Sequence, residues 1–149
     1  MRDISYLKAD LFGRTDWITD GPLAPPHLPR LNGILRDGER ILVVADARRL
    51  YLHPGADTCV VFNRNPFAEA AEHLSTDGLI DWLRRKGYTY VYVDWNEMRR
   101  LRESRYGFWA SLTRDRFVRL EKAGLQCVES FSIMPDGPPY GTLYLVPED

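Results

Sequence analysis

From residue 38 onward the chain alternates between short runs that are apolar throughout and longer stretches with apolar positions three or four apart. Ile41-Leu42-Val43-Val44-Ala45 is apolar at every position, which predicts a strand covered on both faces. Cys59-Val60-Val61-Phe62 predicts a second strand of the same kind. Thr89-Tyr90-Val91-Tyr92-Val93 predicts a third, the strongest by β-branched and aromatic content. Between the second and third, Asn65 can cap a helix with Pro66 at its first position, carrying Phe67, Ala70, Ala71 and Leu74. Another helix starts at Thr76 or Asp77, carries Leu79, Ile80 and Leu83, and stops at Gly87. The charged stretch after the third strand reads as irregular. Thr113 then caps a helix, with Leu112 and Phe117 at staple spacing, that runs through Val118 and Leu120 to Gly124. Residues 127–133 and 141–146 read as two closing strands joined by the turn Met134-Pro135-Asp136-Gly137-Pro138-Pro139.

The first forty residues follow another pattern. Ile4, Leu7, Leu11 and Phe12 have helical spacing that Gly13 ends, and a loop dense in turn residues follows. Pro25 or Pro26 then opens a second helix bearing Leu28, Leu31, Ile34 and Leu35. The expected organisation is a helical lead-in over residues 1–37 packing on an α/β domain over residues 38–149. Helices between buried strands imply a Rossmann-like three-layer domain: a mostly parallel sheet of about five strands, ending in a C-terminal antiparallel hairpin.

Composition narrows the class without naming a function. The chain has 149 residues, 20 basic against 21 acidic, with 12% aromatics. That aromatic content excludes a disordered tail, two cysteines are too few for a disulfide scaffold, and the charge balance argues against a nucleic-acid partner. No apolar run approaches the roughly 20 residues of a spanning helix, and the polar start predicts no signal peptide. Cys59 and Cys127 both lie in apolar runs and read as small buried hydrophobes, with a disulfide as the alternative. Neither has a partner at metal-ligand spacing, so no metal site is expected.

Open α/β sheets bind ligands beyond the carboxyl ends of their strands. The residues there are Asp46, Arg48 and Arg49 after the first strand, Asn63 and Arg64 after the second, and Asp94, Trp95 and Asn96 after the third. They are the candidate ligand-binding set for a small polar molecule. The competing reading is that loop ends are polar anyway and that Asp94 or Asn96 only caps the next turn. No glycine-rich phosphate loop follows any strand, so no nucleotide cofactor is expected, and no serine has a nucleophile-elbow context. One charge feature stands out. Residues 98–120 hold seven arginines against two acids, a net +5, leaving the rest of the chain at −6. Such runs are commonly solvated helix faces. The sharper expectation is that Arg99, Arg102 and Arg105 contact an anionic surface, where each cation contributes about 1 kcal/mol.

Three blocks carry a resemblance. The run Ile41-Leu42-Val43-Val44-Ala45-Asp46-Ala47-Arg48-Arg49-Leu50-Tyr51-Leu52, the segment Val61-Phe62-Asn63-Arg64-Asn65-Pro66, and residues 82–107 with Tyr92-Val93-Asp94-Trp95-Asn96-Glu97 at their centre resemble one bacterial group. These are the soluble C-terminal domains of polytopic glycosyltransferases that use lipid-phosphate-linked sugars, of the dolichyl-phosphate-mannose and aminoarabinose-transferring types. The chain departs from that pattern at Ala45-Asp46, where Gly-Glu is usual, at Asn63 for Asp, and at Asp94 for Asn. In such enzymes the catalytic carboxylate belongs to the membrane half, so the resemblance implies no catalytic residue here. It implies a non-catalytic domain that positions acceptor or lipid-linked donor on the extracytoplasmic face. Its partner would be the membrane half or an anionic lipid surface. The alternative is a free-standing, cytoplasmic α/β module that binds a small polar ligand or a protein.

Overall fold

A computed structural model describes residues 25–46, 52, 54–60 and 64–148 of the chain. The helix expected around residues 4–12 lies outside the described residues. Within them the elements run α1 (His27–Ile34), β1 (Ile41–Val44), β2 (Ala56–Cys59), α2 (Pro66–His73), α3 (Thr76–Arg85), β3 (Tyr90–Asp94), α4 (Trp95–Glu103), α5 (Arg114–Lys122), β4 (Gln126–Phe131) and β5 (Gly141–Leu145). The strands form one five-stranded sheet in the order β2-β1-β3-β5-β4.

Local chemistry sets the helix starts. The Asn65 side chain accepts from the Phe67 and Ala68 amides with Pro66 at the first helical position, and Thr113 accepts from the Arg116 amide. Ser75, one residue before the expected start, caps α3 through the Gly78 amide. Gly87 and Gly124 take positive φ after α3 and α5 and let the chain leave each helix through the left-handed region. The stretch after β3 differs from expectation. It is helical, because the Asp94 carboxylate accepts from the Glu97 amide while Met98 and Leu101 bury an apolar face. Only two of its positions are buried, so the arginines masked its period.

The sheet corrects the mostly parallel, Rossmann-like expectation. β1 pairs parallel with β2 and β3, but β3–β5 and β5–β4 are antiparallel, so half the pairings are of each kind. The closing strands do pair antiparallel as expected. What the local pattern missed is that β5 inserts between β3 and β4, where its own apolar run Gly141–Leu145 is almost wholly buried. The layers are also unequal. α2, α3, α4 and α5 cover one face, packing Phe67, Leu79, Leu83, Met98, Phe117 and Leu120 on Leu42, Val44, Val91, Val93 and Tyr144. Among the described helices, α1 alone covers the other, through Leu31 on Ile41, Val43, Tyr92 and Leu143. The edge strands differ from expectation as well. β2 lies three residues earlier than the apolar run suggested, in register with β1 from Ile41↔Ala56 to Val44↔Cys59. β4 is largely exposed, and Cys127 with it. That corrects the buried reading of Cys127, and both cysteines are free.

β3 is central, with Val91, Tyr92 and Val93 fully buried. Tyr92 packs so closely over Gly141 that a Cβ at that position would collide with its ring. The ring is buried and cannot swing aside. Gly141→Ala is therefore expected to lower stability by about 1–3 kcal/mol in denaturant unfolding, the usual cost of overpacking. Val91→Asp is expected to abolish the cooperative transition, because an unpaired buried charge costs several kcal/mol.

Candidate functional site

The connections from β1 and β3 leave in opposite directions across the sheet, β1 to β2 on one side and β3 toward β4 and β5 on the other. Open α/β sheets place ligands beyond the carboxyl ends of strands that diverge in this way. Asp46 stands just past β1 and Asp94 closes β3, and both are buried. Ala45 between β1 and Asp46 has φ 73°, an uncommon conformation for a residue with a side chain, which turns the chain out of the strand. Asp94 lies two residues beyond Tyr92 and so shares its face by strand alternation. On that face the first turn of α1 brings in His27, itself buried, with Nε2 3.1 Å from Asp46 Oδ2. The imidazole stacks on Tyr92 with centroids 4.9 Å apart and 15° between planes, and Phe131 and Tyr140 flank it. One atom each of His27, Asp46 and Asp94 falls within 4.8 Å of the others.

A second, open feature adjoins this one. Helix α4, the start of α5 and the loop before β5 enclose a cleft of about 390 Å³ lined by Trp95, Asn96, Arg99, Arg102, Arg114 and Pro139, with the Glu103 carboxylate at its rim. The backbone amides of Trp95 and Asn96 donate to Tyr140 O, which joins the cleft to the rings around His27. Arg114 lies over the Trp95 ring at 4.8 Å, and Arg99 donates to Asn96 Oδ1 at 3.2 Å. Trp95 is fixed in turn by its indole N–H, which donates to Thr142 Oγ1. Arg102 also reaches the cleft, but its guanidinium donates to Leu112 O and so ties α4 to the start of α5.

Of the residues expected in the ligand set, Asp46 joins the buried group and Trp95 and Asn96 line the cleft. Asp94 links the two. Its capping bond makes the structural reading true as well, because one oxygen serves the helix. Arg64 points elsewhere, pairing with Glu69 on the surface. Arg48, Arg49 and Asn63 lie outside the described residues. Of the basic set, Arg99 and Arg102 line the cleft, whereas Arg105 packs on its neighbour Tyr106. Glu97, in the first turn of α4, pairs with Arg100 at 2.7 Å. Sequence reasoning missed His27 and Arg114. Each reaches its site from a distant segment, and no local spacing could have found them. A larger hollow of about 630 Å³ lies at the opposite end of β3, among Arg84, Thr89 and Pro147, and gathers none of the candidate residues.

Compared with family models, curated proteins and solved structures, the chain finds no match. No helix among the described residues is long and apolar enough to cross a membrane.

The two cysteines mark the contrast between buried and open surface. Burial pushes the Cys59 thiol up from 9.0 to about 12, against a smaller opposing effect of the Asn65 hydrogen bond. Iodoacetamide should therefore modify Cys127 in the native protein and reach Cys59 only on unfolding, as peptide mass mapping will show. A raised folded-state pKa gives stability that is complete below the unfolded value and lost as pH climbs toward the folded one. Stability should thus begin to fall near pH 9 in the wild type. In Cys59→Ala the fall should begin nearer pH 10, where burial and the neighbouring carboxylates of Asp57 and Glu121 hold Tyr88 and Tyr144 above their ordinary 10.0.

Proposed function

We propose that this chain is a non-catalytic, extracytoplasmic domain of a membrane glycosyltransferase, and that its α4 cleft holds the phosphate of a lipid-linked sugar. The resemblance of residues 41–52, 61–66 and 82–107 supplies the class. The observation that carries the site is the convergence of Arg99, Arg102 and Arg114 beside Trp95 and Asn96 in one cleft. A guanidinium can give two parallel hydrogen bonds to phosphate oxygens, and Trp95 offers an apolar wall for a ring or an isoprenoid methylene. Among the described residues Arg99 and Arg114 are held by a side-chain amide oxygen, a ring face and, for Arg114, the Pro139 carbonyl at 3.5 Å, so an anion can compete for both. Arg102, tied to Leu112 O, contributes charge and holds the wall in place. The cleft lies within the 300–1,000 Å³ span of small-ligand sites. The same cleft would serve a free-standing module that binds a small soluble anion, and the experiment has an arm for that outcome.

Co-sedimentation with vesicles containing polyprenyl phosphate, phosphatidylglycerol or phosphatidylcholine alone tests this. Binding is expected on the polyprenyl-phosphate vesicles, weaker on phosphatidylglycerol and absent on phosphatidylcholine. It should fall as salt rises, because exposed charges are screened within about 8–10 Å at physiological ionic strength. The double variant Arg99→Gln/Arg114→Gln should remove it without changing the thermal midpoint. Equal binding to all three vesicles, or to none, overturns the lipid-phosphate assignment; inorganic pyrophosphate binding that the double variant abolishes would then identify the soluble-anion module.

A further inference from the structure

The buried group around His27 lies behind the α4 cleft and takes no part in the phosphate site. Its three members come from three separate elements: His27 from the first turn of α1, Asp46 from the end of β1, Asp94 from the end of β3. Ligand atoms that share one ion at about 2.0–2.2 Å stand roughly 3.0–3.5 Å apart at octahedral or tetrahedral angles. His27 Nε2 and Asp46 Oδ2, 3.1 Å apart, already have that separation, and the candidate atoms of all three residues lie within 4.8 Å of one another, so an ion has to draw the group closer together.

Acidic residues close together would say little by themselves. The imidazole adds a separate observation. It is 1% exposed and presents its Nε2 edge to Asp46, while Nδ1, which would carry the proton when Nε2 binds an ion, has no hydrogen-bond partner among the described residues. Stacking on Tyr92 and edge contact with Phe131 hold the ring at that angle. The Glu97 amide donates to Asp94 Oδ1, which orients the carboxylate as the outer partners of metal ligands do.

We propose that His27 Nε2 and one oxygen each of Asp46 and Asp94 bind a single divalent transition-metal ion. An imidazole with two carboxylates suits Mn²⁺ or Zn²⁺ better than the oxygen-preferring Mg²⁺ and Ca²⁺. Imidazole and carboxylate ligands bind an ion in their deprotonated forms, so uptake tightens as pH rises. This site stands on its own geometry and does not depend on the glycosyltransferase assignment.

The test is calorimetric titration of the untagged, metal-stripped full chain with Zn²⁺ and Mn²⁺. A Cys127→Ser background keeps the exposed thiol from contributing. One equivalent should bind and raise the thermal midpoint, with Mg²⁺ and Ca²⁺ at least 10-fold weaker. Asp46→Asn and Asp94→Asn keep the side-chain shape, and in the second the amide oxygen can still cap α4. Each should weaken binding by at least about 100-fold, since even outer partners of a metal site contribute 10–100-fold. Circular dichroism establishes that each variant is folded, and the metal-dependent midpoint of the unsubstituted site gives a reading that needs neither variant. No binding at millimolar Zn²⁺ and Mn²⁺, or binding unchanged in both Asn variants, overturns the proposal.

Discussion

The Tyr92 ring sits where the fold and the candidate chemistry meet. It projects from the central strand β3, fully buried, over Gly141 on the antiparallel neighbour β5. In the register Tyr92↔Leu143, Gly141 is its diagonal neighbour, the position an aromatic side chain reaches across a sheet. A residue without Cβ at 141 is what allows the ring to lie flat there. With the ring flat, its upper surface becomes the platform for the His27 imidazole. That stacking fixes how α1 approaches the sheet, and hence where His27 meets Asp46. The seating of α1 and the position of the buried polar group both rest on this contact between an aromatic ring and a bare backbone.

Much of this was legible locally. Asn65 with Pro66, Thr113 and Gly87 act where the sequence places them, because capping and left-handed exits are decided within four or five residues. The centrality of β3 was legible too, since Val91 and Val93 face one core and Tyr92 the other. The insertion of β5 was not. Two consecutive apolar strands joined by a turn pair with each other in any arrangement, and only the packing of the whole sheet decides which of them meets β3. The helicity of α4 was hidden for a related reason. Met98 and Leu101 are its only buried positions, so the amphipathic period is outnumbered by charge.

The site divides the same way. Strand ends announced Asp46, Asp94, Trp95 and Asn96, because an open sheet gathers the residues that follow its central strands. His27 stood at the proline-rich start of a helix whose pattern announced only its apolar face, and Arg114 reaches the cleft from the first position of α5. Both belong by virtue of tertiary placement alone. Asp94 shows that structural and functional readings need not exclude each other: one carboxylate oxygen caps a helix while the residue faces the buried histidine cluster.

The unequal covering of the sheet has a thermodynamic consequence. Four of the described helices shield one face, whereas the eight residues of α1 cover the His27 side. A helix that short is marginal alone and owes its order to what it packs against. His27 belongs both to α1 and to the cluster at the strand ends, so the two equilibria, ordering of the helix and engagement of the cluster, share one residue. Linkage then makes them reciprocal: any interaction that favours the assembled cluster over its dispersed form stabilises the docked helix by the same free energy. Amide hydrogens of α1 therefore report, through their exchange rates, on events at Asp46 and Asp94.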